Sequence, residues 1–111
     1  MAERKIRAYK QYFTEFIQSI RPEEARKVFY VIDMLKTQDR VVEKFVKYLE
    51  DGIYELRAEY NGNIFRVFFL FDEENIVLLM NGFQKKSQKT PKKELNLAKR
   101  LKKEYYDEKR M

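Results

Sequence analysis

The sequence predicts an α+β domain, and three observations lead there. Apolar residues before Gly52 recur at helical spacing, those after it alternate as in strands, and the C-terminal segment returns to a helical stripe set among lysines and arginines. The expected architecture is an antiparallel sheet, made of a short N-terminal strand plus a three-stranded meander. N-terminal helices pack on one face of it, and a basic helix ends the chain. At 111 residues this is one domain with a single core, spanning 1–111.

In chain order, residues 5–10 alternate Ile6 and Ala8 with Arg7 and Tyr9, which suits a short strand. Phe13, Phe16, Ile17 and Ile20 follow the i, i+3, i+4, i+7 rule of a short amphipathic helix. Pro22 interrupts it and fits the first turn of a second helix, where Glu23 and Glu24 meet the positive end of the dipole. That helix runs to about Thr37, with Val28, Ile32 and Leu35 as its inner stripe and Val31 beside them. Val41, Val42, Phe45, Val46 and Leu49 fit one side of a third helix near 40–50, with Gly52 as its C-terminal cap.

The period then changes to two. Residues 53–60 alternate as a half-buried strand, and Asn61-Gly62-Asn63 is a hairpin turn because Asn and Gly tolerate positive φ. Residues 64–71 are too apolar for an edge and predict a central strand. A second turn at 72–75 leads into a third strand at 76–81. Thr90 as N-cap and Pro91 at the first helical position open the last helix, striped by Leu95, Ala98, Leu101 and Tyr105.

Composition narrows the chemistry. Apolar residues make up 44%, which excludes a disordered chain. No apolar run approaches the roughly 20 residues of a membrane helix, and the N-terminus lacks the apolar segment of a signal peptide. Cysteine is absent, which excludes disulfides and thiolate chemistry and fits a reducing cytoplasm. Histidine is absent too, removing the usual general base and the commonest metal ligand. Three glycines make no phosphate-binding loop. We expect no metal and no cofactor.

The net charge of +6 is uneven. Residues 1–82 hold 13 Lys+Arg against 14 Asp+Glu, and residues 83–111 hold 11 against 4. A concentrated basic segment suits nucleic acid, or a solvated terminal helix. Within it, Lys85, Lys86, Lys89, Lys92 and Lys93 crowd together just after the third strand. Crowded ammonium groups lower one another's pKa, and a lysine so tuned acts as a base near neutral pH. Arg57 and Arg66 flank the hairpin turn of the meander. Arg66 either forms a structural ion pair with Glu55, Glu59 or Asp72, or clamps a phosphate; spacing alone favours the ion pair. In the second case the cations would stabilise the phosphorane of RNA cleavage while a lysine takes the 2′-hydroxyl proton.

Three spaced motifs carry a family resemblance: GIYELR at 52–57, NIFRVFF at 63–69 and GFQKKSQKTP at 82–91. With the helical N-terminal half, they resemble the phage-derived Gp49-like, HigB-type branch of the RelE/ParE toxin superfamily. The resemblance implies the RelE-like fold and the toxin of a type II toxin–antitoxin pair, a metal-independent endoribonuclease that cuts mRNA in the ribosomal A site. Its products would be a 2′,3′-cyclic phosphate and a 5′-hydroxyl. It also implies a cytoplasmic protein neutralised by a cognate helix-turn-helix antitoxin, with operator DNA reached only through that antitoxin and no membrane partner. Position by position, Arg66 matches the family's strand arginine, a phosphate or transition-state contact, and Arg57 the arginine of the E-L-R motif. Lys85, Lys86 and Lys89 match the basic cluster after the last core strand, with Lys92 and Lys93 as further RNA contacts. The C-terminal catalytic tyrosine of some relatives has no counterpart near Thr90-Pro91, and the histidines of others are missing, so the base falls to Lys85 or Lys86. Two other readings stay open: a gyrase inhibitor of the ParE type, and a non-catalytic module that binds nucleic acid or an antitoxin.

Overall fold

A computed structural model describes residues 3–73, 75–86 and 89–110. The elements follow the order β1 (Lys5–Ala8), α1 (Tyr12–Ser19), α2 (Pro22–Thr37), β2 (Val46–Glu50), β3 (Ile53–Tyr60), β4 (Asn63–Asp72), β5 (Ile76–Lys85) and α3 (Lys92–Lys109). The strands form one sheet in the order β1-β5-β4-β3-β2. The α+β class and the central place of β4 match the expectation. The turn expected at 72–75 includes Glu74, and the basic stretch after β5 includes Ser87 and Gln88; all three lie outside the described residues.

The sheet is mixed where an antiparallel one was expected, because β1 lies parallel to β5, with Lys5 opposite Ile76 and Ala8 opposite Leu79. The helices also occupy both faces. Strand β4 is apolar on each side and needs two covers. Phe65, Val67 and Phe69 join Phe13, Phe16, Val28 and Leu35 under α1 and α2. Phe68 and Leu70 join Ile53, Met80, Ala98 and Leu101 under α3.

The helix expected near 40–50 does not form. Residues 40–45 have no regular helix, and residues 46–50 are β2, paired with β3. The five apolar positions fit a helical stripe, but β-branched and aromatic side chains favour a pleated surface, and the β3 edge offers Val46 and Tyr48 partners in Leu56 and Tyr54. Gly52 is therefore a hairpin residue, not a helix cap: Asp51 and Gly52, at φ 55° and 74°, make the tight turn between β2 and β3. Helix α3 begins at Lys92 with Pro91 in the N-cap position, one residue later than expected, and Thr90 provides no cap.

The N-terminal helices are fixed at their ends. Glu24 accepts a hydrogen bond from the Arg21 backbone N–H, 2.8 Å, closing the start of α2. At its other end Arg4 donates to the carbonyls of Leu35 (2.6 Å), Gln38 (2.7 Å) and Asp39 (3.0 Å), satisfying carbonyls that have no helical partner.

Candidate functional site

The site is built by strand register. Asn61 and Gly62, at φ 50° and 81°, turn the chain between β3 and β4, so that Tyr60 faces Asn63 and Arg57 faces Arg66. Across the next ladder Arg66 faces Phe83 and Ile64 faces Lys85. Alternation then puts Glu55, Arg57, Arg66, Phe83 and Lys85 on the α3 side of the sheet.

A bulge sets the phase of this row. Val67 pairs with Gly82 and Phe69 with Leu79, so one residue of β4, Phe68, opposes two of β5, Met80 and Asn81. Met80 packs in the α3-side core, and the Asn81 amide donates to the Glu94 carbonyl (3.1 Å) and carboxylate (3.0 Å) on α3. Gly82 turns back toward α1, where a Cβ would lie 2.4 Å from the Phe16 ring.

Arg66 forms an ion pair with Glu55; the two residues are 3% and 1% exposed. Arg57 Nη2 lies 3.7 Å from the same carboxylate oxygen. Burial pushes the Arg66 pKa down, and Glu55 opposes that push while Arg57 adds to it. Glu55 Oε2 and the Nε atoms of Arg57 and Arg66 are buried with no hydrogen-bond partner among the described residues. Half-satisfied buried charge of this kind marks a place where structure alone does not explain the residues.

Lys85 belongs to the same cluster. Its ammonium is held below the ordinary lysine range, first by burial and then by Arg66, with Arg57 and Lys47 adding and Glu55 opposing. The cause therefore differs from the one expected of a lysine run: strand-borne arginines and burial act on Lys85. Lys86 is exposed and follows the end of β5. Lys92 and Lys93 open α3 on its exposed side, and Lys89 is also exposed. Of the expected site residues, the fold thus brings together Arg57, Arg66 and Lys85.

Part of the basic excess of the C-terminal segment is answered in three dimensions. Lys99 pairs with Glu50 (2.6 Å), Lys102 with Asp51 (3.5 Å) and Lys103 with Asp107 (2.6 Å). Lys109 reaches buried Asp72 at 2.7 Å, and Tyr105 donates to the same carboxylate. Burial would raise Asp72, but the Lys109 and Tyr105 hydrogen bonds outweigh it and hold the carboxyl below its usual range.

Sequence reasoning did not single out Lys47, Asn81, Phe83 or Glu94. Lys47 faces Glu55 from β2, a strand expected to be helix. Phe83 is half-buried against Phe68, ring centroids 5.3 Å apart, and with Asn81, Glu94 and Leu97 it lines a hollow of about 390 Å³. The alternation of Asn81, Phe83 and Lys85 in the sequence was the available signal. Among the described residues, no cluster of acidic residues is arranged to hold a metal ion, and no helix is long and apolar enough to cross a membrane.

The fold and sequence have known counterparts. The RelE–RelB complex of the archaeon Pyrococcus horikoshii OT3 contains a chain similar to this one, with a TM-score of 0.52 and 17% identity, over 72% of this chain and 92% of that one. No curated protein matches the chain. The model of the phage-derived Gp49-like protein family matches residues 15–103, which include α2, the whole β2–β5 sheet and most of α3. With the ion-paired arginines and Lys85 inside that span, the chain belongs to the Gp49-like family, a RelE/HigB-type toxin family.

Proposed function

We propose that the chain is the toxin of a type II toxin–antitoxin pair and that it cleaves mRNA on the ribosome without metal. The observation that carries this reading is the gathering of Arg57, Arg66 and Lys85 around one carboxylate, that of Glu55. Arg57 and Lys85 are reachable from solvent, and Arg66 lies behind them. A phosphodiester seated there meets two accessible cations and the field of a third.

Neutral Lys85 accepts the 2′-hydroxyl proton, and the 2′-oxygen attacks phosphorus. Arg57 and Arg66 stabilise the added negative charge. The bond from phosphorus to the 5′-oxygen breaks, and that oxygen takes a proton from water. The products are a 2′,3′-cyclic phosphate and a 5′-hydroxyl. The lowered pKa of Lys85 makes its neutral form available nearer to physiological pH. Lys86, Lys89, Lys92 and Lys93 would contact flanking phosphates. A cognate helix-turn-helix antitoxin would neutralise the toxin and carry the pair to operator DNA.

The test is expression in a translating extract, with mRNA ends mapped by primer extension. Cuts within codons are expected from the wild type, and none from Lys85→Ala or Arg57→Ala. Intact message together with inhibited supercoiling by purified gyrase would replace this reading with the ParE-type one. Intact message with RNA binding unchanged in Lys85→Ala would leave a non-catalytic module.

A further inference from the structure

Helix α2 carries its core residues Ala25, Val28, Val31, Ile32 and Leu35 on one side. Its opposite side should be polar, because in the single chain it meets only water. Phe29 and Tyr30 stand there instead, 47% and 57% exposed. Among the described residues they are the one adjacent pair of large apolar side chains left open to solvent. Phe29 meets the Phe13 ring edge-on, centroids 5.9 Å apart, and the Lys27 ammonium lies 5.0 Å from the centre of the Tyr30 ring. Both rings are therefore held in place before anything docks, which lowers the entropy lost on docking.

The charges around this pair are arranged about its midpoint. Arg26 and Asp33 are seven residues apart, close to two turns, so they lie in line along the outer stripe, with Phe29 on one flank and Tyr30 on the other. Each stands about 5 Å along the axis from the Phe29–Tyr30 midpoint, on opposite sides of it. Both are exposed, and among the described residues neither side chain has an ion pair or a hydrogen bond.

This pattern is complementary to itself. In a two-fold contact between copies of one chain, the same patch meets itself about the axis. Two α2 helices laid antiparallel, with the axis at the Phe29–Tyr30 midpoint, bring Arg26 opposite the partner's Asp33 and Asp33 opposite the partner's Arg26. The aromatic rings then gather between the two pairs. A parallel arrangement would set like charges against each other, and a foreign segment would have no need of charges equally spaced about a midpoint.

We infer that the outer face of α2 is a homodimer contact, in which two copies of this chain pack antiparallel through Phe29 and Tyr30 and cross-pair Arg26 with Asp33. The face belongs to the α1–α2 side of the sheet, whereas Arg57, Arg66 and Lys85 lie on the α3 side, so pairing leaves both cation clusters uncovered. The contact goes beyond the reaction proposed above and does not depend on it. One helix face buries less than the roughly 1,200 Å² of a standard interface, so the expected dissociation constant is on the order of 10 μM.

The test is sedimentation equilibrium of the purified full chain from about 1 μM to about 1 mM. A monomer–dimer equilibrium is expected. Arg26→Asp and Asp33→Arg should each weaken it about tenfold, since each sets two like-charge pairs face to face. The two changes together exchange the charges and should restore the wild-type affinity. All of these changes fall on exposed positions, and thermal melts check that the fold is kept. Tyr30→Ser should weaken the dimer without disturbing the core. A chain that stays monomeric throughout overturns the inference and leaves the face to an antitoxin. A dimer indifferent to the single reversals places the contact elsewhere, and a double variant as weak as the single ones breaks the cross-pairing; either result overturns it.

Discussion

Glu55 of β3 and Arg66 of β4 are diagonal neighbours across the central ladder, and their ion pair is almost entirely sealed from water. A guanidinium this deep persists only with a carboxylate beside it. The pair ties the sheet's stability to the same residue on which the proposed chemistry depends.

Glu55→Ala leaves Arg66 buried without compensation and should lower stability by about 3–5 kcal/mol. Glu55→Met with Arg66→Met removes both charges, and most of the loss should return. Urea unfolding of the three proteins checks this. A single variant as stable as the wild type would show that Arg66 finds another partner.

Lys85 gives a prediction about pH. As a base it must be neutral, so cleavage should rise with pH through the folded-state pKa of Lys85, which lies below the ordinary 10.5. The stability sign follows separately: between the lowered folded pKa and the unfolded one, the unfolded chain binds more protons, so this group's contribution rises with pH across that window. A pH–rate profile of wild type against Lys85→Ala should show the rising limb only in the former.

Gly82 has no room for a side chain. A Cβ there would sit 2.4 Å from the Phe16 ring, so Gly82→Ala should cost about 1–3 kcal/mol. Phe16→Leu in the same chain should recover part of it, as thermal melts would show. Additive losses would mean that the two positions do not meet.

At the far end of the sheet, Asp72 accepts hydrogen bonds from Lys109 and Tyr105 and fastens the end of α3. Its folded pKa is below 3.8, so its contribution is present above that value and is lost as pH falls through the folded pKa. Asp72→Asn should be less stable at neutral pH and should lose less on acidification. Parallel denaturation curves at pH 7 and pH 3 read the difference.

Much of this was legible in the sequence because period and turn chemistry are local. The β3–β4 turn at Asn61-Gly62 set the facing of Arg57 and Arg66, and ion pairing with Glu55 was among the partners that spacing allowed. Residues 41–49 misled because their five apolar positions fit a helical stripe, and only the edge of β3 draws residues 46–50 into a strand. The phase of β5 was hidden for a different reason: an extra residue opposite Phe68 is a property of two strands together. It moved Asn81 to the α3 side, which no reading of residues 76–81 alone could give. The charge excess misled because its answering acids, Glu50 and Asp51, lie half a chain away.

The doubled step at Met80–Asn81 also lets β5 tolerate a change of length. Excising Met80 would leave Asn81 alone opposite Phe68 and straighten the ladder, while Gly82, Phe83 and Lys85 kept their β4 partners and their sides of the sheet. A chain one residue shorter ahead of the glycine would then aim the same side chains at a partner, the bulge having absorbed the difference.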